Sequence, residues 1–497
     1  MPSASMDAQS RKRQDGDVSP SDDRQPSKRF QVPRACQRCK SLRRGCDEHR
    51  PCQRCLRAGL GNECVGGSSW PAATPMPAPG HDAAAAWARV VAEAQGPIVE
   101  ECARLFFELC HPTIPILTLD YVARLRDAAM NPHTGIEACT LLVAMCAHVL
   151  LHVEVPASRG PGSAIPDDYE VYGKTLLDTA STTYQTIHWP PTPTLDSCLL
   201  AFFIYAGQNR LARHSKTFLC LRQATTLWAL VKDHKPASPT AETLLNRLFW
   251  VLLVSERSHA IRYGRSIALH VTPDVPEIDA TDPSLHGLRS LAALFRPIDS
   301  AFMAIKNEEQ LLLPWSPEVL DRAERAINSA IPTSAILQDT QKANLRITKL
   351  WLRIIIWQLR LRLGLLTETS HHRNLTYRYP VDVAKELTLS TRDLPIHTIH
   401  VHGIGLTEKL FDVASAVVDV MAQIPHTSPS ARGMSVEGPP EEDLAYLRAL
   451  ILQLPGGLSV YNELLEKHIQ QALPAMASPG SHTSPGTVSL ISHQSPT

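Results

Sequence analysis

Six cysteines fall between residues 36 and 64 with the spacing C-x2-C-x6-C-x5-C-x2-C-x8-C, and no other feature of the 497-residue chain restricts its folding as tightly. Each C-x2-C pair, Cys36/Cys39 and Cys52/Cys55, holds two thiolates at the separation that grips one face of a metal tetrahedron. Zinc favours such soft ligands at about 2.3 Å. One zinc takes four sulfurs and two independent zincs take eight, so six serve two ions only where two sulfurs bridge both. The count points to a binuclear cluster. So short a stretch cannot bury a core of its own, and metal binding, worth on the order of 10 kcal/mol in structural zinc sites, supplies the folding energy instead.

The same stretch carries Arg34, Arg38, Lys40, Arg43, Arg44, Arg50, Arg54 and Arg57 against Asp47 and Glu48. Six thiolates around two divalent ions leave a doubly negative core, which the basic excess turns into a module of about +4. The whole chain is neutral, with 49 basic and 49 acidic residues, so this excess is local. It suits a polyanion bound salt-dependently through counterion release.

Spacing and basic residues together closely resemble the fungal zinc binuclear cluster family of DNA-binding domains, over residues 34 to 65. Pro51 before Cys52 matches a proline usual in the family's loop. The resemblance implies two zinc ions, with Cys36 and Cys52 as bridging thiolates, Cys39 and Cys46 completing one ion, and Cys55 and Cys64 the other. A RING or LIM module needs eight ligands, and although His49 is an extra candidate, no further pair follows Cys64. A disulfide framework needs an oxidising compartment, whereas the N-terminal MPSASMDAQSRKRQDGD has no apolar export segment. Cys102, Cys110, Cys139, Cys146, Cys198 and Cys220 stand singly in apolar stretches and read as buried, reduced thiols of an intracellular protein.

In the family, the first cysteine-bearing helix enters the major groove and reads a CGG triplet. Its basic run appears here as Lys40, Ser41, Leu42, Arg43, Arg44, Gly45. Arg43 takes the position most tied to the guanines, and an arginine there reaches guanine O6 and N7 bidentately. Lys40, Arg44, Arg38 and Arg50 are assigned to phosphate. Leu42 and Gly45 replace two usual basic residues, which leaves the triplet preference open and keeps a second reading alive: a zinc-dependent protein-interaction module or co-regulator without base readout.

Residues 1–33 are polar and charged, too poor in apolar side chains to fold, and read as a disordered tail. Its Arg11-Lys12-Arg13 and Lys28-Arg29 resemble a bipartite nuclear localisation signal, which places the protein in the nucleus. Residues 66–96 read as a flexible linker; its last part, DAAAAWARVVAEAQG, is helical in composition but keeps no a/d repeat over three heptads. A zipper is therefore not expected, and any homodimer would form through the helical region beyond.

From 97 to 472 the chain reads as a large all-α regulatory domain. Helices are expected over 97–110, 119–129, 136–153, 167–187, 195–207, 216–232, 240–262, 288–309, 316–330, 336–366, 399–423 and 440–471, separated by Pro- and Gly-bearing breaks. Asn246-Arg247-Leu248-Phe249-Trp250, Ser255-Glu256-Arg257 and Gly264-Arg265 resemble the fungal-specific transcription factor domain, or middle homology region. Phe106-Phe107 with His111 to Leu117 is similar to an early segment of amylase and maltose-utilisation regulators. Arg247, Glu256 and Arg257 are expected to form a buried ion network, and the arginine-studded helix over 345–366 to be a core helix rather than a membrane-surface one. Residues 473–497 are Ser/Pro-rich and read as disordered, with Ser478-Pro479 and Ser484-Pro485 as phosphorylation candidates.

His397, His400 and His402 form an H-x2-H-x-H run with no cysteine or placed carboxylate beside it. Residues 136–153 are apolar but interrupted by Glu137, His148 and His152, too short an uncharged run for a membrane span. No phosphate loop, nucleophile elbow or dinucleotide fingerprint occurs, so no enzymatic activity is expected. The expected fold is thus a small, metal-folded, two-helix zinc binuclear cluster domain joined by a flexible linker to a large all-α domain. The expected function is a sequence-specific DNA-binding transcription factor for RNA polymerase II genes of a pathway or gene cluster. Its partners would be double-stranded DNA and the transcription machinery or co-regulators, with no membrane.

Overall fold

The computed structural model describes residues 36, 39, 42, 46–47, 51–60, 64, 81–131, 135–153, 162–187, 192–234, 238–308, 316–423 and 439–473. The chain divides into two compact units, Met1–Ala78 and Pro79–Thr497.

In the first unit Cys52 is extended, with ψ of 151°, and starts α1, Gln53–Arg57. The helix ends where Gly59 turns left-handed at φ +69°, and the Leu60 N–H donates to Cys55 O at 2.9 Å. Only glycine enters that turn without steric cost. Cys39, too, has helical backbone.

The second unit contains helices and no strand among the described residues. Its first half comprises α2 (His81–Ala94), α3 (Ile98–Leu105, prolonged by a π-helical turn Phe106–Cys110), α4 (Leu119–Ala129), α5 (Ile136–His152), α6 (Tyr169–Thr186), α7 (Leu195–Arg210), α8 (His214–Asp233) and α9 (Pro239–Tyr263). α5 is apolar on every face, and from Ala138 to His152 every residue is buried. It can be so only because α2, α3, α4, α6 and α7 surround it. No helix among the described residues is long and apolar enough to cross a membrane. α6 and α7 approach closely at Gly207, where a Cβ would fall 2.7 Å from Leu177 Cδ1. Thr194 and Ser197 form a capping box at the start of α7, and Ser238 caps α9 ahead of Pro239.

The second half comprises α10 (His286–Phe295), α11 (Ser300–Lys306), α12 (Glu318–Ser329), α13 (Asp339–Arg362), α14 (Tyr379–Thr391), α15 (Ile396–His400), α16 (Ile404–Gln423), α17 (Pro440–Leu452) and, after a π-helical turn Gly457–Tyr461, α18 (Asn462–Ala472). α13 and α16 pack together, with α14 against both. The stretch over 345–366 is a core helix as far as Arg362, where α13 ends ahead of the left-handed Gly364: Trp351 is 1% exposed, and Arg353 crosses to Glu386 at 2.6 Å and to the Tyr379 hydroxyl at 2.7 Å. Glu441, Glu442 and Asp443 occupy the first turn of α17, where carboxylates favour the helix dipole.

Several expectations need revision. The helix expected over 288–309 is two, α10 and α11, because Pro297 follows the first and Asp299 accepts the Phe302 N–H to start the second. The single stretch over 440–471 breaks at Pro455 and the left-handed Gly456, φ +74°. α14 was not expected at all. α2 falls within the 66–96 linker, yet its Val90 is buried and its Glu93 accepts the Tyr172 hydroxyl of α6. Arg247, Glu256 and Arg257 do not pair with one another: Glu256 binds Arg222 at 2.6 Å, Arg247 meets Asp282 at 3.6 Å, and Arg257 donates to the carbonyls of Phe295 and Arg296 at 2.7 and 3.1 Å. Arg257 therefore closes the C-terminus of α10.

Candidate metal centre and nucleic-acid interface

All six sequence-predicted ligands, Cys36, Cys39, Cys46, Cys52, Cys55 and Cys64, are free thiols gathered in one cluster. Five are buried and Cys46 is half-buried. The sulfurs of Cys36, Cys39, Cys52 and Cys55 lie within 4.8 Å of one another. Cys36 Sγ is 3.9 Å from Cys52 Sγ and 3.7 Å from Cys55 Sγ, and Cys39 Sγ is 3.8 Å from Cys52 Sγ. These separations are far too long for disulfides. They agree with the edge of a tetrahedron of sulfurs around zinc, about 3.8 Å for a 2.3 Å metal–ligand distance. The donor set fits zinc.

The backbone of the cluster points at its sulfurs. The Cys36 N–H donates to Cys46 Sγ at 3.4 Å, the Cys39 N–H to Cys36 Sγ at 3.4 Å, and the Cys52 N–H to Cys64 Sγ at 3.2 Å. Such donors favour thiolate over thiol. The Cys39 N–H holds the Cys36 thiol below its ordinary pKa, and the Cys55 N–H does the same for Cys52. Burial pushes Cys39 the other way, helped by its contacts with Cys36 and Cys52.

Sequence reasoning missed Asp47. Its Oδ2 accepts the Gln53 N–H at 2.9 Å, anchoring α1 to the loop between Cys46 and Cys52. An acid directly after the third cysteine was the available signal.

The expected DNA contacts, Arg43, Lys40, Arg44, Arg38 and Arg50, lie outside the described residues, as do the basic runs of the N-terminal tail and the Ser-Pro pairs of the C-terminal one. Leu42 is described and is 52% exposed. Arg54 and Arg57 are exposed on α1. The histidine run forms no metal site: among the described residues, groupings of three or more metal-ligating side chains occur only among the clustered cysteines and where Asp47 meets Cys46 and Cys52. The His402 Nε2 instead contacts the Thr340 carbonyl at 2.8 Å.

The geometry defines a cysteine-rich module whose donor set fits zinc, and the second unit is helical. Residues 34–69 match the family model of the fungal Zn(2)-Cys(6) binuclear cluster domain, so the chain carries such a domain and holds two zinc ions in it. Relatives extend the likeness beyond the cluster. The chain is 22% identical over 300 residues to the probable sucrose utilization protein SUC1 of Candida albicans, a match covering 57% of this chain and 58% of that protein. It is 20% identical over 416 residues to the maltose fermentation regulatory protein MAL13 of Saccharomyces cerevisiae, covering 79% of this chain and 85% of the relative. A second maltose fermentation regulatory protein of that yeast, MAL33, is 22% identical over 424 residues, 79% of this chain and 86% of the relative.

Proposed function

We propose that the protein is a nuclear, sequence-specific transcription regulator that binds DNA through its zinc cluster and acts on RNA polymerase II genes. The observation that carries this reading is the central place of Cys36 and Cys52. Their sulfurs lie 3.9 Å apart, Cys36 also approaches Cys55, and Cys52 also approaches Cys39. This arrangement supports Cys36 and Cys52 as the bridging ligands, with Cys39 and Cys46 completing one zinc and Cys55 and Cys64 the other. Arg43 then reads guanine, while Lys40, Arg44, Arg38 and Arg50 hold phosphates. The relatives' names, concerned with sucrose utilization and maltose fermentation, support carbohydrate-utilisation genes as the target set.

A gel-shift titration on duplexes with and without a CGG triplet tests this. Arg43→Ala should cost roughly 1–3 kcal/mol at CGG sites and little elsewhere, whereas Lys40→Ala should weaken binding to all duplexes alike. A zinc-loaded protein that retards neither duplex would instead establish the cluster as a protein-interaction module.

A further inference from the structure

The helical unit holds a pocket-like cavity of about 190 Å³, partly open to its surroundings, on which the π-helical turn after α3, together with α5, α7, α9, α10, α13 and α16, converges. An apolar cavity of about 150 Å³ accommodates benzene, so a somewhat larger molecule fits here. Leu291 and Leu406 typify the largely apolar wall. The wall's basic side chains are His148, His152, His402 and Lys409, and no aspartate or glutamate lines it. The π-helical turn that brings Leu109 and Cys110 into the wall is an irregularity frequent at functional sites.

Lys409 is the most telling member. It is 7% exposed, and its ammonium donates to Thr348 Oγ1 at 2.9 Å while lying 5.3 and 5.7 Å from the ring centres of Trp351 and Phe295. An ammonium has three donors, so two N–H groups lack an acceptor among the described residues. Its sequence neighbours Glu408 and Asp412 are both engaged by Arg262, at 3.0 and 2.5 Å. Burial lowers Lys409 to about 7 and His148 and His402 to about 4, so positive charge in this wall is suppressed until a counter-charge arrives.

We propose that this cavity binds a small organic acid, its carboxylate received by Lys409 and by His148, whose Nδ1 has no partner among the described residues, and its compact apolar body held among the leucines and valines. Its role as effector rests on the reading of the protein as a regulator; the binding itself does not.

The test is titration of the full-length, zinc-loaded chain with benzoate and hexanoate against the matched neutral probes benzamide and hexanamide, followed by thermal unfolding. Each acid should bind at least tenfold more tightly than its amide, and Lys409→Met should bring the acids down to the amide level. Equal affinity for acid and amide, or no binding by any of the four, overturns the proposal, as does acid binding that Lys409→Met leaves unchanged. Should Lys409→Met fail to fold, the wild-type acid-to-amide ratio decides alone. DNA is absent from this assay, so failure of the gel shift and failure of ligand binding are read separately.

Discussion

Asp47 and Gln53 close the loop between the third and fourth cysteines: Asp47 Oδ2 accepts the Gln53 backbone N–H at 2.9 Å. Gln53 is the first residue of α1, and its N–H has no partner within the helix. The bond therefore fixes the helix that carries Cys55 relative to Cys46. Asp47→Ala should cost about 1 kcal/mol, the usual worth of such a cap, and weaken zinc binding about fivefold in a chelator competition. Asp47→Asn keeps an acceptor oxygen and should retain most of the affinity. Equal losses in both variants would show that the carboxylate charge matters rather than the hydrogen bond.

Metal removal should separate the two units. The cluster's packing consists of its own cysteines, whereas the helical unit has an independent apolar core. Incubation with a chelator at neutral pH should abolish DNA retardation while leaving far-ultraviolet circular dichroism almost unchanged, and added zinc should restore binding. Cys36→Ser, which alters a central sulfur, should be at least as damaging to binding as Cys64→Ser. A chelated protein that still binds DNA would remove the metal from the account.

What the sequence made legible was local. Six ligands within 29 residues, the continuous apolar run of α5 and the capped α4 over 119–129 each carry their signal in adjacent residues. α14 was hidden because Arg378-Tyr379-Pro380 reads as a break, although Pro380 stands at the second position of a helix, where its missing N–H costs nothing. Arg257 lies on an apolar helix that suggested an ion network, but its partners are carbonyls 38 and 39 residues away. The cavity draws its wall from seven elements, and no spacing rule joins His148 to Lys409. Contacts at such separations are set by packing, which periodicity does not encode.

Acid should destabilise the helical unit through its buried imidazoles. Burial holds His148 and His402 down to about 4 from an ordinary 6.5. The unfolded chain thus binds protons that the folded chain refuses between those values, and stability falls as pH drops from about 6.5 to about 4. Each histidine contributes at most about 3 kcal/mol of this loss. His148→Phe places a non-titrating ring beside Phe106 and Phe203 and should flatten the acid limb of a plot of Tm against pH. An unchanged slope would assign the effect to other groups.

Arg360 offers the sharpest test of a buried pair. Its two terminal nitrogens donate to Glu324 Oε2 and Asp321 Oδ1, both at 2.7 Å, and Arg360 and Glu324 are only 2% and 4% exposed. Asn374 Nδ2 donates to the same Glu324 oxygen at 2.6 Å, while Glu324 Oε1 has no partner. In Arg360→Met the apolar stem is retained but Glu324 becomes a buried carboxylate held by one amide, an arrangement that should cost about 3–5 kcal/mol. Adding Glu324→Gln removes the stranded charge and should recover a substantial part of that loss, measured by denaturant unfolding of both single variants and the double. Additive losses in the double variant would mean that packing around Arg360 stabilises the fold and the charge pair does not.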